Sequence, residues 1–374
     1  MYPTIGVLNR GRGLLYRDAV AGSSTSYKKL NQIRPGMLVY SRLKAFEGAI
    51  TVTPDDLQES FASQEFPTFA FASDADPEFF RLLTTTQGMW DALQGASKGM
   101  GGRRERVKPT DFLNIVMEIP PLLLQKRIVE VIDVIDRQIA ALVSETLAAE
   151  RVHSRLLDEF TSSATSSAKP LGDLCPVIRS GPSWAAKDES SILSDGALTV
   201  LKITNTRPDG AIDLSELVYV AGLPARTKVI GPTSLVMIRT NGNRKRIGNV
   251  YLPPEEVHGA AVSAFQFTLD ALDVETRDYL YLVLRSPRIQ HQMSESASGS
   301  TGLGNLAVRW LKTLEIPWPN AETRKAQVEA VQAIDAKISA ALAETDRLRK
   351  VRAGLLSGLL DRTVDIQYTE LSEA

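Results

Sequence analysis

The 374-residue sequence has little of the chemistry that usually betrays an enzyme: one cysteine, three histidines and 6% aromatic residues. Cys175 alone can form no internal disulfide. His153, His258 and His291 lie far apart with no Cys or acidic partner at ligand spacing, so no metal site is expected. No apolar run approaches the roughly 18 residues that would span a bilayer. The opening MYPTIGVLNR lacks a charged stretch followed by an apolar one, so a cytoplasmic location is expected. There is no GxxxxGK[ST] phosphate loop, and the Gly clusters at 99–102 and 302–304 follow helical patterns rather than opening a helix after a strand. No [DN]PP[YF] tetrapeptide of an amino-methyltransferase occurs, and no Ser or Cys stands in a nucleophile-elbow context. The sequence therefore offers no catalytic constellation.

What is present is a globular composition, 43% hydrophobic and 23% charged, long enough for two domains or more. Lys and Arg total 43 against 44 Asp and Glu, but this balance hides local asymmetry. Residues 1–44 carry eight cations (Arg10, Arg12, Arg17, Lys28, Lys29, Arg34, Arg42, Lys44) against Asp18 alone. Residues 45–97 reverse this, with nine acidic residues and only Arg81. Further basic clusters are Lys98, Arg103, Arg104, Arg106, Lys108 and Arg239, Arg244, Lys245, Arg246. Such segregation suits a polyanion binder with an acidic opposite face.

An internal repeat organises the chain. Glu118-Ile119-Pro120 recurs as Glu315-Ile316-Pro317, and from Lys126 onward the match runs ungapped at an offset of 199. Nine of the 26 positions from Lys126 to Arg151 are identical in the second copy, among them Val129/Val328, Ile135/Ile334, Asp136/Asp335, Ile139/Ile338 and Thr146/Thr345. Upstream, GMLVYSR resembles TSLVMIR and IGVLN lies over LKITN, so one plan, a variable domain followed by a helix, is executed twice.

The helical segments carry a 4,3 apolar spacing. It runs through Ile128, Ile132, Ile135, Ile139, Leu142, Thr146, Ala149, His153, Leu156 and Phe160 in the first copy. The second runs through Val331, Ile334, Ile338, Ala341, Thr345, Leu348, Arg352, Leu355 and Leu359. A heptad seam on a rod of about 35 residues, roughly 50 Å, needs a partner, and the two helices are expected to pair antiparallel about a pseudo-two-fold axis. Thr146, Thr345, His153 and Arg352 interrupt the seam; they either set register or face a partner subunit.

The variable segments read as mixed α/β, with short strands such as MLVYSRL, SLVMIR and AFQFTLD and one helical stretch in each, Glu78–Leu93 and Thr276–Glu295. Arg239-Thr-Asn-Gly-Asn-Arg-Lys-Arg246 is the best nucleic-acid candidate: its four cations match phosphates and guanine edges, and Asn241 and Asn243 can hydrogen-bond bases or phosphates. Arg42 and Lys44 stand at the equivalent place in the first half, and Lys98, Arg103, Arg104 and Arg106 flank glycines that let backbone approach phosphates. Solvated loop tips are the alternative reading of these charge runs. Tyr27, Tyr40, Trp184 and Trp310 rank below the arginines, since a lone aromatic among apolar neighbours more often packs in a core.

EIPPLLLQKRIVEVIDVIDRQIAAL (Glu118–Leu142) and its fainter copy EIPWPNAETRKAQVEAVQAIDAKI resemble the conserved arms of the specificity subunits of Type I restriction-modification systems. KPLGDLCPVIRSGPSW is similar to the start of that family's target-recognition domains, as are YPTIGVLNRGRGLLYR and GMLVYSRLKAFEGAI, so the likeness covers essentially the whole chain. The resemblance implies an α+β chain of two α/β target-recognition domains, 1–121 and 170–319, separated by two long helices, 122–160 and 320–361, that form an antiparallel coiled coil. A Ser-rich linker, 161–169, and an acidic tail, 362–374, complete the plan. It implies a non-catalytic subunit that reads a bipartite duplex DNA target. Two methyltransferase subunits and then restriction subunits would dock on it, bringing S-adenosylmethionine, ATP and Mg with them. A structural coiled-coil adaptor, or a truncated subunit without productive DNA binding, is the alternative. Two departures stand out. The second half has some 28 residues, from Pro170 to Ala197, before the strand matching Ile5, so the first domain is expected to lack its opening strand. Gln125-Lys126-Arg127 fits the family pattern, whereas Ala321-Glu322-Thr323-Arg324 has drifted.

Overall fold

The computed structural model describes residues 1–25, 27–97, 106–162, 167–207, 210–299 and 303–364. Lys98, Arg103 and Arg104, residues 163–166 of the Ser-rich linker and residues 365–374 of the acidic tail lie outside the described residues. The chain forms two compact units, Met1–Leu142 with Glu344–Ala374, and Val143–Ala343. Their borders fall inside the long helices rather than at the ends of the repeated sequence segments.

In the first unit, β1 (Tyr2–Val7), β2 (Leu14–Val20), β3 (Asn31–Ile33) and β6 (Ser60–Ala62) form a sheet in the order β2-β1-β6-β3. A second sheet places β4 (Leu38–Tyr40) between β5 (Ile50–Val52) and β7 (Thr68–Phe69). All three residues of β4 are buried, as a strand covered on both faces requires. Helices α1 (Pro77–Leu83), α2 (Gln87–Ala96) and α3 (Pro109–Leu113) follow, then α4 (Leu122–Ser162). Tyr40, Ile50, Phe79, Leu83 and Leu93 share one core with Ile128 and Ile132 of α4 and with Leu356 and Leu359.

The second unit repeats the plan with additions. After β8 (Ala168–Pro170), the single-turn α5 (Leu171–Leu174) and β9 (Val177–Ser180) come β10 (Glu189–Ser190), β11 (Leu198–Leu201) and β12 (Val218–Val220). Next are β13 (Ser234–Ile238), β14 (Thr240–Asn241), β15 (Val250–Tyr251), β16 (Ala261–Val262) and β17 (Gln266–Asp270). The lobe ends with α6 (Val274–Leu284), α7 (Pro287–Ser296), β18 (Gly304–Asn305), α8 (Val308–Lys312) and β19 (Glu315–Pro317), before α9 (Ala321–Leu360). Its sheets run β10-β12-β11-β16 and β15-β13-β17-β9. The parallel pairing of Val200 with Ala261 repeats that of Thr4 with Phe61.

Where single helical stretches were expected at Glu78–Leu93 and Thr276–Glu295, each lobe has two helices. Local capping explains the breaks. Thr86 accepts a hydrogen bond from the Met89 amide (3.4 Å), and Ser286 accepts one from Ile289 (3.3 Å). In the second lobe Pro287 also disfavours helical backbone at Ser286.

The long helices exceed the expected 35 residues. They have 41 and 40 residues, about 60 Å each. In the first unit, residues 128–136 of α4 meet residues 352–359 of α9; in the second, residues 145–160 meet residues 328–337. Within each unit the two helices therefore run antiparallel. The predicted seam is the shaded stripe of each helix: Ile132 and Val331 are buried, while Ile135, Ile139, Leu142, Ile334, Ile338, Leu348 and Leu355 are half-buried. Beyond Leu156 and Leu355 the following residues, Leu157 and Leu356, are more deeply buried, because there the helix also faces its lobe.

The polar interruptions of the seam are matched across it. In the first unit Arg352 of α9 grips Asp136 of α4 with two hydrogen bonds, one of 2.9 Å. At the repeat-equivalent place in the second unit, His153 lies 3.1 Å from Asp335, which also takes two bonds from Arg285, the residue that caps the end of α6, at 2.7 and 2.9 Å. Burial opposes ionisation of Asp335, yet the bonds from Arg285 and His153 outweigh it and hold the carboxyl well below the usual range.

Candidate nucleic-acid interface

The strongest candidate segment leaves the end of the buried strand β13. Beyond Arg239, β14 pairs with β18, and a Cβ at Gly304 of β18 would stand 2.4 Å from the end of the Ile247 side chain, which would have to shift to admit it. Asn241 accepts a hydrogen bond from the Asn243 amide (2.8 Å). Asn243 in turn caps a single 3₁₀ turn, Arg244–Arg246, by accepting from the Lys245 amide (3.1 Å). Both asparagines thus spend their carbonyl oxygens on shaping the loop and keep their NH₂ groups without a partner among the described residues.

The four cations of this loop do not share one role. Arg239 is half-buried: its Nε donates to Asn305 (3.0 Å), which also accepts from Thr240 (2.9 Å), and its guanidinium lies 5.5 Å from the centre of the buried Phe267 ring. Arg246 turns inward and donates to the Thr206 carbonyl. Tyr251, whose hydroxyl is 3.5 Å from Arg246, bonds the Arg207 carbonyl (2.9 Å). Arg244 and Lys245 alone are exposed, with no acidic partner among the described residues. Sequence reasoning grouped all four because charge says nothing of direction.

In the first unit Arg42 occupies the same place as Arg239. Its amide bonds the Glu65 carbonyl (2.9 Å) and its carbonyl accepts from Val107 (3.1 Å), as Arg239 bonds Phe265 (2.9 Å) and Leu306 (3.0 Å). The surroundings differ in charge. Arg106 lies 3.5 Å from Glu65, and Lys44 lies 3.6 Å from Glu47, so two of the predicted cations there are already paired. Tyr40 is core, its hydroxyl donating to the Val107 carbonyl (3.1 Å) and pushed up to about 12 by burial. Trp184 donates to Glu189 (3.0 Å), and Tyr27 is exposed.

Two residues were missed. Asn305 organises the Arg239–Thr240 corner; the matched backbone bonds of Val107 and Leu306 make it the structural counterpart of Arg106, an equivalence that the sequence offset of 197 on either side does not give. Phe265, half exposed just before β17, accepts the Arg239 amide on its carbonyl (2.9 Å) and leaves an aromatic side chain at the surface. Among the described residues no helix is long and apolar enough to cross a membrane.

No protein-family model matches the chain, and no curated protein does. Solved structures do. One chain, from a structure concerned with complex assembly and conformational transition of the type I R-M system, is 18% identical, with a TM-score of 0.61 over 92% of this chain and 86% of its own. The Type-I restriction-modification system S subunit from M. genitalium is 14% identical, with a TM-score of 0.53 over 98% of this chain and 89% of its own. The two-lobed, two-helix fold is the fold of those proteins.

Proposed function

We propose that this chain is the non-catalytic DNA-specificity subunit of a Type I restriction-modification complex. The observation that carries this reading is the repeated strand exit: two lobes of one plan each place an arginine, Arg42 or Arg239, at the end of the central buried strand, beside a basic loop. A tandem pair of such lobes suits a bipartite duplex target, each lobe reading one half-site through Arg and Asn contacts to base edges while neighbouring cations neutralise phosphates. On this reading Arg244, Lys245 and the amides of Asn241 and Asn243, which have no partner among the described residues, are the groups of the second lobe that touch DNA.

On this reading the paired helices also seat two methyltransferase subunits and, through them, restriction subunits. Methyl transfer, ATP hydrolysis and cleavage belong to those partners, which bring S-adenosylmethionine, ATP and Mg, and the assembly works in the cytoplasm. The test is genome-wide mapping of methylated bases with and without this gene. Loss of a bipartite methylated motif on deletion is the expected result. An unchanged methylation pattern, with the partner subunits expressed, overturns the reading in favour of an adaptor.

A further inference from the structure

The two lobes differ in how one surface is closed. In the second unit the segment Ala168–Ser180 covers it. β8 pairs with β19, and β9 adds a fourth strand along β17. Between them Leu171, Leu174 and Cys175 are buried in the core, with the Leu171 amide bonded to the Leu314 carbonyl (2.8 Å). In the first unit the equivalent sheet has three strands, and Glu118–Pro120, the counterpart of β19, is not a strand. The equivalent surface is an apolar groove along β7 and α3, lined by Phe69, Phe112, Leu113, Ile115, Met117 and Ile119. Leu113 is 66% exposed and Ile119 38%, unusual for residues of this size beside a core.

The repeat identifies what belongs there. In the second unit the covering segment follows the end of a long helix: α4 stops at Ser162, and α5 begins nine residues later at Leu171 and ends at Leu174. In the first unit the helix that ends is α9, at Leu360, and fourteen residues follow, Asp361 to Ala374. At the offset of 199, residues 367–369 and 370–373 are the counterparts of β8 and α5. The chain turns out of the helix at once, with the Val364 amide bonded to the Gly358 carbonyl (3.0 Å). The sequence beyond, Val364-Asp365-Ile366-Gln367-Tyr368-Thr369, alternates apolar and polar residues as a half-buried strand does, and Leu371 follows.

We propose that the carboxy-terminal segment Asp365–Leu371 docks in the groove of the first lobe, pairing as a short strand and seating Tyr368 and Leu371 against Phe112, Leu113 and Ile119. The tail thus completes the lobe at the opposite end of the chain from β1, by strand addition to an open edge. The inference stands whether or not the lobe reads DNA.

The test uses the full chain, in which the only native thiol, Cys175, is buried. Leu113→Cys with Leu371→Cys is oxidised mildly beside a control pair, Asp56→Cys with Leu371→Cys. An intramolecular disulfide in most molecules of the first pair, and in few of the control, is expected. In parallel, the chain truncated after Val364 is compared with the full chain by amide hydrogen exchange. Exchange rising about tenfold or more at Phe69 and residues 112–119, with residues 311–316 unchanged, is expected. Equal crosslinking of both pairs together with unchanged exchange overturns the proposal. A disulfide that joins two chains also overturns it, since a second copy is then the occupant.

Discussion

Two lobes built to one plan diverge at their edges and at their charged corners. The second lobe spends Ala168–Ser180 on a fourth strand and a buried helical turn; the first presents an apolar groove at the same place. At the strand exits, the second lobe leaves Arg244 and Lys245 exposed with no acidic partner among the described residues, while the first pairs Lys44 with Glu47 and Arg106 with Glu65. Backbone hydrogen bonds at Arg42 and Arg239 are nonetheless the same. The difference teaches that the repeat holds the frame, in which a one-residue slip would turn every strand inside out, and leaves edges and loop charges free to diverge.

The largest effect that would sharpen this comparison is in the core of the second lobe. Leu171→Ala removes a fully buried side chain from a filled site and should cost about 2–5 kcal/mol. Denaturant unfolding of the whole chain should show the second unit's transition moving and the first unit's staying put. Equal movement of both would mean that the units do not unfold separately.

The acid pairs of the helices come next. Asp335→Ala takes the acid from both Arg285 and His153, which keep only their mutual contact (3.1 Å), whereas Asp136→Ala takes it from Arg352 alone. Hydrogen bonds to charged groups are worth about 1.5–3 kcal/mol each before solvent screening, and both sites are partly exposed, so losses of about 2–3 and about 1 kcal/mol are expected. The order of the two, read by thermal or urea unfolding, is the prediction. Because hydrogen bonding depresses the Asp335 carboxyl, its stabilising contribution is present above the unfolded carboxylate pKa and is lost as pH falls through the lower, folded value. Asp335→Ala should therefore flatten the acid limb of the stability curve.

At the strand exits, Arg244→Glu with Lys245→Glu should weaken DNA binding by the assembled complex about ten- to a hundredfold and reduce the salt slope. Lys44→Glu, already paired, should change it about twofold at most. Equal effects would show that the first lobe engages DNA through Lys44 after all. Arg246 is a poor probe, since its guanidinium holds the Thr206 carbonyl and its loss would disturb the loop itself.

Cys175 offers a milder reading of how well the second lobe is closed. Burial pushes its thiol up to about 12 from 9.0. A raised folded pKa means that stability is full below the unfolded value and declines as pH climbs from about 9 toward 12. Native chain should resist alkylation at pH 8 to 9, and Leu171→Ala should speed it.

Much of the frame was legible because it is periodic. A heptad stripe and an offset of 199 mark the long helices, their antiparallel partners and even the polar seam positions, whose matched acids, Asp136 and Asp335, were identical residues in plain view. Strands of two or three residues such as β14 and β18 carry no period at all, so the corner that fixes Arg239 on Asn305 was invisible. The breaks at Thr86 and Ser286 were hidden because apolar spacing continues across them. Direction was hidden as well: four adjacent cations read alike, yet Arg239 and Arg246 bind backbone and neighbouring side chains and only Arg244 and Lys245 face solvent.

The drift from Gln125 to Arg324 gives the finest comparison, and the smallest expected effect. Gln125 is buried; its NH₂ donates to the carbonyls of Asp74 (3.0 Å) and Pro120 (2.8 Å), and its oxygen accepts from the Asp76 amide (2.8 Å). Arg324, at the repeat-equivalent position, donates to the Pro319 carbonyl (2.6 Å), which stands as far before its helix as Pro120 stands before the first. Different side chains thus satisfy the same orphan carbonyl before the first turn of each long helix. What Arg324 adds is a cation over the Trp318 ring, 4.1 Å from its centre, worth about 0.5–1 kcal/mol at a partly exposed site. Arg324→Gln should accordingly cost about 1 kcal/mol or less, because the amide can take over the Pro319 bond and only the ring contact is lost. Gln125→Ala should cost about 1–3 kcal/mol, because it leaves three backbone groups without their partner. Unfolding midpoints of the two variants in parallel decide it: equal losses would mean that the arginine does more at its helix start than hold one carbonyl, and that the two arms are not interchangeable there.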